Sequence, residues 1–190
     1  MVASPGKRVT VDALDSFDDD DRVEIINGGI VREAMTTFEH SDAQLGIGTE
    51  VRSRFGGRGP DGRGWWIGTE GTVVYGNDQG YRHDLAGWRK ERVTKRPCGP
   101  RIGERPDWVC EILSKNRSKD LVEKRAVLHE HGVPHYWIMD LAPPRLTVLR
   151  HHADAYLLVA ELAPGDRARI EPFEAVELEV ARLFGDIEEE

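Results

Sequence analysis

The sequence predicts a mixed α/β domain with a central β-sheet flanked by helices, and three observations lead to this expectation. Apolar residues at helical spacing predict a helix over 38–55. Several β-prone runs follow it, and the last of them, Trp108 to Leu113, is the most strongly apolar. A second helical segment and a buried strand then occupy 119–140. Helix, three strands, helix and strand in this order are typical of a sheet with helices packed on its faces.

The N-terminal part of the chain predicts a hairpin and then a helix. Residues 22–26 and 30–33 flank Asn27-Gly28-Gly29, and an Asn-Gly pair between two apolar runs is typical of a tight hairpin turn. We interpret the acidic run at 18–21 as a solvated turn. The helix ends at the glycine pair 56–57, and its apolar positions are Leu45, Ile47, Val51 and Phe55.

The remaining elements follow from β-propensity and from capping residues. Ser118 is a suitable N-cap for a helix that runs from Lys119 to His131 and is terminated by Gly132. Short strands are expected at Trp65–Ile67, Thr72–Tyr75 and His83–Trp88. After the buried strand at 133–140 we expect further strands near 145–150, 155–162 and 167–171, and then a docked helix in the acidic segment 171–190.

Composition excludes several classes of protein. The chain has 190 residues, no apolar run long enough for a membrane span, and only two cysteines, which cannot form a disulfide framework. The N-terminal residues lack the apolar stretch of a signal peptide, so we expect one cytoplasmic domain over 1–190.

The charge is unevenly distributed along the chain. The net charge of −8 argues against a tight non-specific binder of nucleic acid. However, residues 82–125 contain 13 basic and seven acidic residues, a local charge of +6 between acidic ends. Because screening limits charge interactions to roughly 8 Å at physiological salt, one basic face can still meet a polyanion.

Two charged residues stand at positions where apolar residues are expected. Glu111 lies in a strand with apolar residues on both faces, where a carboxylate is costly unless it is paired or binds a cation. Lys124 falls on the apolar stripe of the following helix, beside Leu121 and Val127. An ion pair with Asp120, four residues earlier, would explain the charge of Lys124 but not its position on the apolar face.

Asp84 is the third member of this candidate site. It lies in a short predicted strand, and two carboxylates and a lysine on adjacent elements suit metal-assisted hydrolysis of a phosphodiester. In this interpretation Asp84 and Glu111 bind the metal, and Lys124 positions the attacking water or stabilises the developing negative charge.

Residues 105–140 resemble the Uma-type restriction endonuclease family of the PD-(D/E)XK nuclease superfamily. The matching features are Pro106-Asp107, Glu111-Ile112-Leu113-Ser114, Asp120 with Lys124, Gly132-Val133-Pro134, Tyr136-Trp137 and Asp140. Weaker similarities at 23–28, 40–41 and 83–86 extend the resemblance over roughly 22–150. The resemblance implies a restriction-endonuclease-like sheet with Asp84 and Glu111 as metal ligands and with extra strands at both ends. Residues 1–21 would form an N-terminal arm.

This sequence departs from the family's usual pattern at two positions. The superfamily's lysine usually follows the glutamate by two residues, where this chain has Leu113, and the resemblance implies that Lys124 takes its place. His83 stands where the family often has proline. Asp107 is a further ligand candidate, although it lies about 13 Å along the strand from Glu111.

The expected activity is Mg²⁺-dependent endonuclease cleavage, with Mn²⁺ as a substitute, of DNA in preference to RNA, by a homodimer. We expect Glu24 and Asp120 to support the site, and we expect phosphate contacts from Arg89, Lys90, Arg92, Lys115, Arg117 and Lys119. Two alternatives remain open. One is a non-catalytic nucleic-acid-binding or regulatory protein with this fold, and the other is a structural protein in which Glu111 and Lys124 form a buried ion pair.

Overall fold

A computed structural model describes residues 8–18, 21–33, 35–58, 62–113 and 119–185, with only the backbone at 119–121. Its helices are a 3-10 helix at Val11–Ser16, α1 at Phe38–Phe55, a π-helical turn at Lys119–Lys124 that continues into α2 at Arg125–Glu130, and α3 at Val180–Leu183. Its strands are β1 Val23–Ile26, β2 Gly29–Arg32, β3 Trp65–Tyr75, β4 Gln79–Arg89, β5 Trp108–Ile112, β6 His135–Leu141, β7 Pro144–His151, β8 Tyr156–Leu162, β9 Arg167–Ala168 and β10 Leu178–Glu179.

The strands β1 to β8 form one mixed sheet. Its order is β2-β1-β4-β5-β6-β7-β8, with β3 paired to β4 off this path. The pair β5–β6 is parallel, because α2 carries the chain across the sheet between them, and the other pairs are antiparallel. The predicted fold class, a central sheet with helices and extra strands at both ends, is therefore confirmed.

Helices cover the sheet on both faces. On one face α1 and α3 pack over Trp108, Trp137 and Phe173, all fully buried. On the other face Val127 and Leu128 of α2 pack over a second apolar cluster. Every residue of β5 is buried as a result, which explains why its sequence is apolar on both faces. Truncation of a core tryptophan such as Trp108 to alanine would cost about 3–5 kcal/mol.

Two differences from the sequence-based expectation lie next to the candidate site, while at the C-terminal end the strand expected at 167–171 is shortened to β9 and the expected helix to α3. The two short strands predicted at 65–67 and 72–75 are parts of one continuous strand, β3, since the glycines at 68 and 71 pair in register with β4. The predicted helix at 119–131 begins with a π-helical turn rather than an α-helical one, and its predicted cap, Ser118, lies outside the described residues. By contrast, α1 has the predicted bounds, and the hairpin turn has the expected positive φ at Asn27 and Gly28.

The long strand β4 positions the candidate site. One of its edges pairs with β3 along its length, while the opposite edge pairs with β1 near Gly80 and with β5 at Leu85 to Gly87. The two neighbours diverge between these points. The stretch from Tyr81 to Asp84 therefore borders a gap in the sheet, and this gap is lined by β1 on one side and by β5 on the other.

The side-chain alternation of the sheet reverses at this gap. In β3, Trp65 faces the α1 side of the sheet, whereas Tyr75, an even number of residues later, faces the α2 side. Glu70, between them, has a φ of +57°, which is unusual for a residue other than glycine. The β3–β4 register pairs its neighbours, Thr69 with Leu85 and Gly71 with His83, which places Glu70 next to Asp84. Because the alternation reverses there, the Asp84 carboxylate reaches sideways to the backbone of β5, where it accepts the N–H of Ile112 at 2.7 Å.

Candidate active site

Two strands and the π-helical turn bring charged side chains into the gap beside β4. Glu24 comes from β1, Glu111 from β5 and Lys124 from the end of the turn, and their exposed fractions are 0%, 2% and 2%. The Lys124 Nζ donates to Glu111 Oε2 at 2.9 Å and lies 3.4 Å from Glu24 Oε1. The position of Lys124 on the buried face of its helical segment, expected from the sequence, is thus confirmed.

The charged state of Lys124 follows from these contacts. Burial lowers its pKa, but the negative charges of Glu111 and Glu24 outweigh this effect and raise the pKa well above its usual value. The ammonium also donates to the backbone carbonyl of Arg82 at 3.3 Å. Lys124 is therefore a cation at neutral pH, and it can stabilise negative charge but cannot accept a proton.

His83 holds the other oxygen of Glu111. Its Nδ1 lies 2.5 Å from Glu111 Oε1, and its Nε2 lies 2.8 Å from the hydroxyl of Tyr75. Burial, and then the positive charge of Lys124, lower the pKa of His83 to about 3, so the ring is neutral. Burial raises the pKa of Tyr75 well above its usual value, so its hydroxyl stays protonated. Tyr75 therefore donates to Nε2, and the single ring proton sits on Nδ1 and points at Glu111.

Asp84 is held by a different set of partners on the α1 side. Its Oδ1 lies 2.9 Å from Nε2 of His40, in the first turn of α1, while Oδ2 accepts the Ile112 N–H described above. Burial lowers the pKa of His40, but the hydrogen bond and charge of Asp84, with Glu70 and Glu111, more than offset this and raise it. The backbone carbonyl of Asp84 accepts from the side chain of Gln44 at 2.8 Å. Asp84 is thus fixed at both its side chain and its backbone.

Glu70 ties this environment to the neighbouring strands. Its Oε1 accepts from Gln44 at 2.9 Å, and its Oε2 accepts from Arg82 Nε at 2.8 Å and lies 3.2 Å from Arg22. The unusual φ of Glu70 is therefore stabilised by three side-chain contacts.

Comparison with protein families identifies the chain. Residues 10–181 match the model of the Uma2 family, which is described as "Putative restriction endonuclease". The protein belongs to the Uma2 family. The family expected from residues 105–140 is therefore confirmed over most of the chain.

The fold agrees with that of a solved structure. It is similar to a crystal structure described as "a putative nuclease belonging to DUF820" from Anabaena variabilis ATCC 29413, with a TM-score of 0.69 and 19% identity. The match covers 93% of this chain and 97% of that one. No curated protein matches the sequence. Within the part of the chain that the structure describes, no helix is both long and apolar enough to cross a membrane.

The divalent metal implied by the resemblance suits the charge of this Uma2 cluster. Glu24, Glu111 and Asp84 contribute three carboxylates. In the described part of the chain Lys124 is their buried cation, His40 pairs with Asp84, and His83 is neutral. A net negative charge out of water is costly, and a bound cation would offset it. Among the described residues no group of three or more His, Cys, Asp or Glu is arranged as a metal site. Mg²⁺, however, needs only one or two carboxylates, because water and substrate phosphate supply its other ligands. Asp84 and Glu111 would hold it.

The structure does not bring Asp107 to this cluster. Asp107 is 3% exposed and lies just before β5, four residues from Glu111. Its Oδ2 accepts the backbone N–H of Arg89, and its Oδ1 accepts from Arg92 at 2.8 Å and lies 3.7 Å from Arg105. From these contacts we infer that Asp107 anchors the loop 89–105 to the sheet rather than acting as a third catalytic carboxylate.

The predicted phosphate-binding residues that the structure describes make intramolecular contacts. Arg89 lies over the ring of Trp65 at 4.8 Å, and Arg92 binds Asp107. The Lys90 ammonium donates to the carbonyls of Gly56 and Gly57. The side chains of these three cations therefore bind other parts of the protein itself. Lys115 and Arg117, and the side chains of Lys119 and Asp120, lie outside the described part of the chain.

Sequence reasoning missed several residues around the site. It treated His83 only as a departure from the family pattern, and it did not single out Tyr75, Gln44 or Glu70. It associated His40 only with the helix start. For His83 a signal existed, because a histidine next to a candidate ligand in a buried strand needs a polar partner. For the others the contacts span 8 to 44 residues of sequence, and no local pattern announces them.

Proposed function

We propose that this Uma2 protein is a Mg²⁺-dependent endonuclease that hydrolyses phosphodiester bonds, with DNA favoured over RNA. The buried Glu111–Lys124 pair beside Asp84 is the observation that supports this proposal most directly. A purely structural ion pair balances its charges, whereas the described residues of this cluster include more carboxylates than cations.

The chain's own residues have distinct roles in this proposal. Asp84 and Glu111 hold the metal, which when bound supplies an activated water and charge neutralisation at the phosphate. Lys124, a cation, lies close to Glu111 and stabilises the negative charge that develops on the phosphate oxygens. Its raised pKa favours this role over that of a proton acceptor.

His83 and His40 orient the two proposed ligands. The Nδ1–H of His83 donates to one oxygen of Glu111, which fixes the direction in which the carboxylate presents its other oxygen. His40 does the same for Asp84. Hydrogen-bonded partners of ligating groups set their orientation, and their loss commonly costs 10- to 100-fold in metal affinity or activity.

A non-catalytic nucleic-acid-binding role is the second candidate. It is supported by the fact that both oxygens of Glu111 and both of Asp84 already accept hydrogen bonds within the protein. In that case Glu111 and Lys124 would be a structural pair, and binding would occur without metal-dependent turnover.

A divalent-metal titration tests the proposed function. Wild type and Glu111→Gln are incubated with DNA and RNA over a range of Mg²⁺ and Mn²⁺ concentrations, and cleavage is followed on gels. Wild type should cleave only with metal, and Glu111→Gln should lose at least about 100-fold in rate. Glu161→Gln, an exposed carboxylate on β8, is the matched control and should cleave like wild type. Equal cleavage by wild type and Glu111→Gln would contradict the assignment, and salt-sensitive binding without cleavage would favour the second candidate.

We also propose that the protein acts in the cytoplasm as a homodimer, since cutting both strands of a duplex with one site per chain calls for two copies. Light scattering on the purified protein with and without duplex DNA measures the mass directly. A monomer under both conditions would contradict the dimer and leave the chemistry untouched.

A further inference from the structure

A groove runs along the free edge of β3, between the exposed face of α1 and the loop at 96–102. It consists of two adjoining cavities of about 670 and 220 Å³ that share Arg52, Ile67 and Thr69 in their walls. In the described residues nothing pairs with this edge of β3 until Ile102, which bonds to Thr72 and Val74. The groove is therefore a continuous surface beside the sheet.

Two cations and several hydrogen-bond donors lie in the groove among apolar residues such as Leu45, Ile67 and Trp66. None of its described lining residues is a carboxylate. Its donors include Arg52, Arg96, Thr49, Ser53 and Thr69. A second cleft of about 700 Å³ near the N-terminus differs, because there Asp15, Asp18 and Glu70 stand among the arginines. In a protein with a net charge of −8, a groove without acids is a distinctive surface for an anionic partner.

The two arginines of the groove are available for binding. Arg52 and Arg96 are exposed, and neither forms an ion pair with a described residue. By contrast, the side chain of Arg89 lies over an aromatic ring, that of Lys90 binds backbone carbonyls, and that of Arg92 binds Asp107.

The edge of β3 adds main-chain donors. The carbonyl of Gly64 accepts the backbone N–H of Lys90, which directly follows β4. The backbone N–H and C=O groups of the even-numbered residues up to 68 therefore point toward β4. Since hydrogen-bonding direction alternates along an antiparallel strand, Ile67 and Thr69 turn their N–H groups toward the groove. Backbone N–H groups and arginines together are the usual ligands of nucleic-acid phosphates.

The groove ends beside the candidate active site. Gln44 lines its wall and also donates to the backbone carbonyl of Asp84 at 2.8 Å. Gln44 is also bonded to Glu70, which lies next to Asp84 in the sheet. A strand lying in the groove would thus enter the site next to Asp84.

We propose that this β3-edge groove binds the phosphate backbone of the nucleic-acid strand that is to be cut, with Arg52 and Arg96 as its charged contacts. The inference rests on the proposed nuclease function and replaces the earlier expectation that Arg89, Lys90 and Arg92 contact phosphates.

The test measures binding of a fluorescein-labelled DNA strand, and of its duplex, by anisotropy without divalent metal between about 50 and 200 mM salt. Arg52→Ala and Arg96→Ala should each weaken binding about tenfold, as expected for loss of a hydrogen bond to a charged group. Each should also lower the slope of log Kd against log salt by about 0.7–0.9. Arg145→Ala, on an exposed arginine of β7, is the matched control and should leave both quantities unchanged.

Cleavage kinetics separate this proposal from the nuclease proposal. The groove variants should raise KM and leave kcat nearly unchanged, whereas Glu111→Gln should lower kcat. If Arg52→Ala and Arg96→Ala bind DNA with the affinity and the salt slope of wild type, the groove proposal is overturned and the nuclease proposal is unaffected. The groove proposal would also be overturned if the wild-type protein cleaves DNA but shows no salt-dependent binding. Weakened binding in these variants, with cleavage that does not depend on Glu111, would instead support the groove and overturn the active site.

Discussion

The two ends of β5 each place a carboxylate out of water, and the two are stabilised in different ways. Asp107, at the start, is bound by a backbone N–H and by Arg92 and Arg105, whose side chains are about one-third exposed. Glu111, near the end, is bound by Lys124 and His83, both buried. The Asp107 end is compensated by cations that reach water, while the Glu111 end accumulates negative charge in the interior.

This difference indicates where function lies. Arginines that contact both a carboxylate and solvent lower the cost of burial, and they serve to hold a loop. A buried lysine with two carboxylates and a neutral histidine is an expensive arrangement, and perturbed ionisable groups of this kind concentrate at functional sites. Burial alone would not separate the two, since Asp107 and Glu111 are 3% and 2% exposed.

The largest expected effect is on catalysis. Lys124→Met should lower the single-turnover cleavage rate at least about 100-fold, because it removes the cation that we propose lies beside the reacting phosphate. Asp107→Asn should keep the rate within about threefold of wild type, since Asp107 only anchors a loop. Quench-flow kinetics at saturating DNA and metal measures both rates. A large loss in Asp107→Asn with an intact fold would break the distinction between the two ends.

The second effect is on stability. Lys124→Ala leaves Glu24 and Glu111 buried without their cation and should cost about 3–5 kcal/mol. Asp107→Asn should cost about 1–3 kcal/mol, because the released arginines can be hydrated. Urea denaturation followed by tryptophan fluorescence gives both values. Equal losses of unfolding free energy in the two variants would mean that burying charge costs no more at Glu111 than at Asp107.

The third effect is a pH dependence of stability. The pKa of His83 is lowered to about 3 by burial and by Lys124, so below pH 6.5 the unfolded chain binds a proton that the native protein does not. Stability should therefore fall as the pH drops from about 6.5 toward 3, by about 1.4 kcal/mol per pH unit. His135, near Asp107, has a pKa lowered to about 4 by burial and by Arg89, and it adds a loss in the same direction.

One variant and its control isolate the contribution of His83. His83→Gln keeps a hydrogen-bond donor for Glu111. It should reduce the slope of the unfolding free energy against pH by the equivalent of about one proton, whereas replacement of the exposed His152 by Gln should leave this slope unchanged. Urea denaturation at several pH values between about 4 and 7 measures the slope. An unchanged slope in His83→Gln would show that His83 is protonated in the native protein.

The smallest effect concerns Glu70. Glu70→Gln can keep a bond to Gln44 but loses its charge for Arg82 and Arg22, which are partly exposed. We expect kcat to fall by less than about fivefold with KM unchanged, as befits a pair near the surface. A loss as large as that of Lys124→Met would place Glu70 among the residues that the reaction needs directly.

The sequence predicted much of the fold and the centre of the site, because both leave local signals. The Asn27-Gly28 turn, the bounds of α1 and the misplaced charges of Glu111 and Lys124 are visible in periods of two or 3.6 residues. The continuity of β3 was missed, since its two glycines imitate a break in a strand. Asp107 was grouped with the site because a strand pattern does not show which end of the strand meets which partner.

By itself the sequence determined the element order, the apolar faces and the presence of a carboxylate and a lysine where burial is costly. Only the tertiary structure decided that β1 and β5 diverge along β4, so that Glu24, His83 and Asp84 meet Glu111 and Lys124 in one gap. Only the structure, likewise, divided the arginines into those bound within the protein and those that face a groove. Side-chain periodicity is a short-range property of the chain, whereas strand order and pairing arise from contacts between residues far apart in sequence.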